Sequence, residues 1–328
     1  MEQSKRNISK KSWLLIKFII AAAALWFIYK AVLDKESMSG WWDIILVSVS
    51  SGNHPVVFLV VLLFMIINWS VEALKWRKMM RKIETLSFGR SLEAVFSGLT
   101  VSFFTPNRVG EYAGRVFHLS KADRIEATLI TVIENYSQLL VTLVTGSLGT
   151  IVYLKLFVNI PAYLWTGVSI LLVLFSLACL LLFLNVSILE TVFRKLRLPA
   201  SWDHYLRVFS FYSTKELLSV LGLACLRYLI FSTQFYLLLQ IFGIDLSIPL
   251  CFLLIAMTYY VMSVVPTIAW MEIGVRGTIA TYFFSPVTID PISVVNASIT
   301  LWLINIVIPA LIGCFFVFSF KLGKRREG

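Results

Sequence analysis

Residues 105–119 read Thr-Pro-Asn-Arg-Val-Gly-Glu-Tyr-Ala-Gly-Arg-Val-Phe-His-Leu and set Arg108, Glu111 and Arg115 between two long apolar regions. A charge near the hydrocarbon core of a membrane costs roughly 2.5–3.5 kcal/mol on insertion scales. A chain keeps such charges where they face a cavity or one another. Pro106 lacks an amide hydrogen and ends the helix before it. Gly110 and Gly114 permit close backbone approach. Glu111 and Arg115, four apart, share a face of a helix and can pair.

The composition around this stretch defines the class. The chain has 328 residues, of which 59% are hydrophobic and 14% charged, against about 25% charged in soluble domains. It reads as an all-α polytopic membrane protein. The net charge of +11 comes from short basic clusters beside apolar spans. That is the positive-inside pattern, and nucleic acid is excluded as a partner. Cys179, Cys225, Cys251 and Cys314 lie far apart in apolar spans, and His54, His118 and His204 are scattered. Neither a disulfide framework nor a metal site is indicated, and no cofactor is implied. Trp13 to Ala31 has the length of a spanning helix without a clear small-residue cleavage site, and is read as a retained first helix.

Working outward, residues 91–104 are apolar but too short to cross at 1.5 Å per residue. With the charged segment that follows, 91–119 reads as a re-entrant hairpin entering from the cytoplasm. Spanning helices are expected at roughly 13–32, from 55 through 71, at 124–154, 162–185, 216–242 and 290–320. A mixed external segment is expected at 33–54, with Trp41 and Trp42 suited to an interface. Residues 249–265 end at Pro266 and lead into a second charged stretch with Glu272 and Arg276, so 249–284 reads as a second hairpin, from the outside.

Six spans, two opposed hairpins and both termini in the cytoplasm place every basic cluster on one side. The expected organisation is a tail, first helix and loop over 1–54, a first repeat over 55–185, a cytoplasmic amphipathic linker over 186–215, a second repeat over 216–320 and a basic tail over 321–328. Arg81–Pro106 aligns without gaps over Ile241–Pro266, placing Leu86-Ser87 on Leu246-Ser247. After a one-residue slip, Glu111 falls on Glu272, Arg115 on Arg276 and Asn135 on Asn296. The two halves are then inverted repeats, a recurring transporter design in which broken helices meet near the midplane.

The run Pro106-x-Arg108-x-Gly110-Glu111-x-x-x-Arg115, with Glu134 in the following helix, resembles the membrane region of lysylphosphatidylglycerol synthases. Pro266 and Glu272 resemble that family's second hairpin, and Pro309 and Gly313 its last helix. The resemblance implies flipping of aminoacylated phospholipids, made in that family by a separate soluble domain. The chain stops at Gly328, so synthase activity is not expected. It departs from the family in reading Thr267-Ile268-Ala269-Trp270 where a glycine-rich run is usual, and in carrying Asn305 as the polar residue of the last helix.

The candidate substrate-binding residues are Arg108, Glu111, Arg115, Glu134, Arg227, Glu272 and Arg276. A guanidinium can fork onto a lipid phosphate; the plainer reading has Arg115 neutralising Glu111 and Arg108 reaching back to the surface. Glu111 and Glu272 can receive a cationic headgroup or a coupling proton; the plainer reading is an intrahelical ion pair for each. Glu134 is eleven residues past Asp123, ~16 Å deep and near the midplane of a ~30 Å core, with Ile130 and Gln138 as its helical neighbours. Arg227 is its expected partner across the bundle. Glu72, three before Lys75, is read as structural, and Asn68, Gln234, Asn296 and Asn305 as interhelical hydrogen bonders.

No Walker loop, nucleophile elbow, HExxH or GxGxxG occurs in the sequence. The expectation is a bacterial inner-membrane lipid transporter, not an enzyme, moving an anionic or aminoacylated phospholipid or a polyprenyl-phosphate lipid between leaflets. Membrane lipids are its expected partners. The alternatives are a lipid-modifying enzyme using Glu111, Glu134 and Glu272 as acid or base, and a scaffold for a separate lipid synthase.

Overall fold

The computed structural model describes residues 39–103, 105, 108–195, 202–267 and 269–318. The expected first helix at 13–32, Pro106 and the basic tail at 321–328 lie outside the described residues. The described chain is helical and holds no strand.

Helix α1 (Ser39–Ser50) occupies part of the segment read as a mixed external connection, and packs on α2 (His54–Met80). Its sequence runs from Asp43 through Ile-Ile-Leu-Val to Ser51 with neither Gly nor Pro until Gly52, so a helix forms where a loop was expected. Helix α2 begins with Pro55 in its first turn and ends in Arg77 and Lys78. Helices α3 (Phe88–Ser102) and α4 (Gly110–Val116) follow, then α5 (Arg124–Phe157), α6 (Ala162–Leu184) and α7 (Ser187–Lys195). After a short turn of helix at Asp203–Leu206, here α8, come α9 (Thr214–Ile241), α10 (Ile248–Val264) and α11 (Ala269–Phe284). The last stretch is α12 (Pro291–Trp302), a π-helical turn over Leu303–Val307 and α13 (Ile308–Val317).

Five of these stretches are long and apolar enough to cross a membrane: α2, α5, α6, α9 and Pro291–Val317. They coincide with five of the six expected spans. Helix α10 is apolar but has 17 residues, or ~26 Å at 1.5 Å per residue, short of the ~30 Å core. The linker expected at 186–215 carries the amphipathic α7, whose Phe193 stacks on Phe209 at 5.8 Å and whose Arg194 pairs with Glu190 at 2.9 Å. The hydroxyl of Ser210 also donates to the Glu190 carboxylate and, with Arg194 beside it, holds Glu190 below the usual carboxylate range.

Close packing fixes α3 and α4 as an antiparallel pair. A Cβ on Gly114 would lie 2.6 Å from Gly98 Cα, and one on Gly98 would lie 2.9 Å from Arg115 Cγ. Larger residues would push the helices apart and carry Arg115 with them. On its other side α3 meets α13, where a Cβ on Gly313 would overlap the Phe96 carbonyl and the Thr100 hydroxyl. The Thr100 hydroxyl donates to the Ala310 carbonyl at 2.7 Å.

The π-helical turn has a local cause. Pro309 offers no N–H to the carbonyl four residues back, Asn305, and its ring crowds that carbonyl. The helix widens there, and the released carbonyl accepts from the Trp69 indole at 3.1 Å. The Asn305 side chain donates to Leu301 O at 3.2 Å and accepts from Asn68 at 3.3 Å. These bonds lock the last helix onto α2 without leaving the freed carbonyl unsatisfied in an apolar setting.

Candidate functional site

Helical spacing brings Asn68, Glu72 and Lys75 to one buried face of α2. On α4, Glu111 and Arg115 lie four apart, as do Glu272 and Arg276 on α11. Folding then assembles two ion clusters from residues far apart in the chain.

The first cluster centres on Arg115, which is fully buried. Its guanidinium pairs with Glu111 on its own helix, with Glu72 of α2 at 2.5 Å and with Glu134 of α5 at 3.1 Å. Lys75 bridges the same carboxylates, 3.0 Å from Glu72 and 2.7 Å from Glu134. Arg227 of α9 adds a contact to Glu72 at 3.3 Å and lies 5.0 Å over the Trp69 ring. Three cations and three carboxylates therefore compensate one another. Taking charges out of water is repaid only by such geometry, and removing one partner of a buried pair costs about 3–5 kcal/mol.

The second cluster is smaller. Glu272 accepts two bonds from Arg108, at 3.0 and 2.8 Å, and one from Arg276. Arg108 lies between α3 and α4, so this contact ties that connection to α11. Its backbone sits at φ +58°, in the left-handed region, which costs a non-glycine residue roughly 1–2 kcal/mol. Its side chain retains 34% exposure, against 0% for Arg115.

A cavity of about 460 Å³ joins the clusters. Arg108, Arg227, Arg276 and Glu272 line it, and Trp69, Tyr259 and residues 262–267, the end of α10 and the chain that follows it, complete the wall. Three guanidinium groups and one carboxylate face it, and Arg227 is also paired with Glu72, so the wall keeps a positive excess beside aromatic and aliphatic surface.

The structure brings all seven sequence-selected residues into these two clusters. It corrects the expected partner of Glu134: Arg115 and Lys75 meet it, whereas Arg227 meets Glu72. It also corrects the plainer reading of Arg108 as a side chain reaching back to the surface. Glu72, read as structural, is 1% exposed and contacts Lys75, Arg115 and Arg227. Lys75, fully buried, was not singled out by its sequence; its position three after Glu72 on an apolar helix was the available signal.

A second constellation lies on α3 and just after α4. The Ser97 hydroxyl is 2.8 Å from His118 Nε2, and Glu93 is 4.0 Å from His118 Nδ1. Ser97 is fully buried and is not among the residues that line the cavity. Among the described residues, no group of His, Cys, Asp and Glu is arranged to hold a metal ion.

The family described as the lysylphosphatidylglycerol synthase TM region matches residues 14–313 of the chain. No curated protein and no solved structure matches it.

Proposed function

Because the chain belongs to the lysylphosphatidylglycerol synthase TM-region family, we propose that it is a lipid transporter rather than an enzyme. In this reading it moves an anionic or aminoacylated phospholipid, or a polyprenyl-phosphate lipid, between the leaflets of a bacterial inner membrane. The observation that carries the reading is the cavity walled by Arg108, Arg227, Arg276 and Glu272. The headgroup occupies this cavity while the tails stay in the bilayer. The segments 91–119 and 249–284 act as opposed re-entrant hairpins of an inverted repeat, one from each side, with both termini in the cytoplasm. Support for that arrangement comes from the short α10, the antiparallel α3–α4 pair and the Arg108–Glu272 contact between the two charged stretches. Irregular backbone at membrane depth is tolerated where it lines a cavity, and half-helix ends meeting near the midplane build substrate sites in inverted-repeat transporters.

The test is leaflet-to-leaflet transfer by purified protein in liposomes. One set carries fluorescent or aminoacylated phosphatidylglycerol and a parallel set polyprenyl phosphate. Wild type is compared with Arg276→Gln and Glu272→Gln, each checked for folding by its melting curve. Transfer of one lipid class that both folded variants lose supports the reading. Transfer that both variants retain overturns the cavity as the path, and no transfer of either lipid by the wild type overturns these cargoes.

A further inference from the structure

The two clusters share one cavity, and their charges do not cancel. The cations are Lys75, Arg108, Arg115, Arg227 and Arg276; the carboxylates they contact are Glu72, Glu111, Glu134 and Glu272. The Arg115 cluster is balanced internally. The surplus of one positive charge falls on the Arg108–Glu272–Arg276 group, at the cavity wall. Among the described residues, no further Asp, Glu, Lys, Arg or His lines the cavity. Arg276 is 8% and Glu272 5% exposed in their side chains, so water screens this part of the group poorly, while Arg108 at 34% is partly solvated.

We infer that the cavity selects its ligand by net charge and takes a headgroup carrying one negative charge in all, that is, a phosphodiester whose remaining groups are neutral. This rests on the lipid-transport reading and narrows its cargo. A single phosphodiester monoanion completes the network. A phosphomonoester dianion overshoots it by one charge. A zwitterionic headgroup leaves the surplus in place, and an aminoacylated headgroup with a net positive charge adds to it. Uncompensated charge in a poorly hydrated site is the costly outcome in each case. Two lipid sources supply the monoanion: a glycerophospholipid with an uncharged polyol headgroup, and a prenyl phosphodiester bearing a neutral sugar.

The experiment is a binding series on the full chain in nanodiscs of zwitterionic lipid. The probes are dihexanoyl phosphatidylglycerol, dihexanoyl phosphatidylcholine, dihexanoyl phosphatidic acid at alkaline pH, short-chain lysyl-phosphatidylglycerol and a short-chain prenyl phosphoryl-hexose. A monoanion is expected to bind about tenfold or more tighter than the zwitterion, the dianion and the lysyl ester. Which monoanion leads tells the two sources apart. Arg108→Gln removes the surplus at a partly exposed position and is expected to abolish the monoanion's advantage over the zwitterion. Glu272→Gln raises the surplus to two and is expected to favour the dianion. Equal binding of the zwitterion or the lysyl ester by wild type overturns the inference. So does a ranking unchanged in Arg108→Gln, or no binding of any probe. Failure of the transport reading looks different: the charge ranking then holds while liposome transfer is nil. Transfer without the ranking sinks the inference alone.

Discussion

The Arg115 and Glu272 clusters start from the same local device, a glutamate and an arginine four residues apart on a short helix after a proline-containing break. They end in opposite states. Around Arg115 the neighbours supply matching charges from α2, α5 and α9, and the cluster closes on itself with no charge left over. Around Glu272 the single added partner is Arg108, and the cluster remains open to a cavity. The difference teaches that an ion pair inside a membrane helix does not by its presence mark a ligand site. What its surroundings leave uncompensated does. The closed cluster pins four helices together; the open one has charge to offer.

Substitutions separate these roles, and the largest effect belongs to the closed cluster. Arg115→Met takes Glu111's helical partner away and leaves Glu72, Glu134 and Glu111 facing only Lys75 and Arg227; it is expected to cost about 3–5 kcal/mol, seen as a large loss of melting temperature in detergent. A melting curve close to wild type would break the comparison. Next comes Gly313→Leu, which drives a side chain into the Phe96 carbonyl and the Thr100 hydroxyl. Overpacking of this kind costs roughly 1–3 kcal/mol, and α3 is the helix expected to lose hydrogen-exchange protection. Trp69→Phe then leaves the Asn305 carbonyl without its indole donor, at about 1–3 kcal/mol, with destabilisation expected around the π-helical turn. The smallest stability effect is expected for Arg108→Gln, about 1 kcal/mol or less because the pair is partly solvated. Its lipid transfer should nonetheless be largely lost. A variant with normal transfer and normal melting would remove the open cluster from function.

Much of this was legible in the chain, and the illegible part has a physical pattern. The apolar runs gave five described spans, four of them nearly to both ends and α2 short of its charged last turns, because burial in lipid demands length and hydropathy that are local properties. The intrahelical pairs Glu111–Arg115 and Glu272–Arg276 followed from spacing alone. What sequence could not supply was the partner across helices. Glu134 sits at the expected depth, yet two cations on other helices, Arg115 and Lys75, both reach it and Arg227 does not. Lys75 directly precedes Trp76-Arg77-Lys78, so it reads as one more basic residue at a helix end until packing buries it. Helix α1 was hidden by its setting, a short apolar run between two polar stretches.

Arg108 also says something about how this chain can vary. Its backbone conformation favours glycine or asparagine, while its guanidinium makes the double contact to Glu272. Folding and activity therefore reward different residues at one position. In a saturation library sorted for abundance, Asn is expected to rise at 108; in the same library sorted for lipid transfer, only Arg should persist. A site where the two sorts disagree is one where the chain gives up stability for work, and here that disagreement can be read from a single dihedral angle.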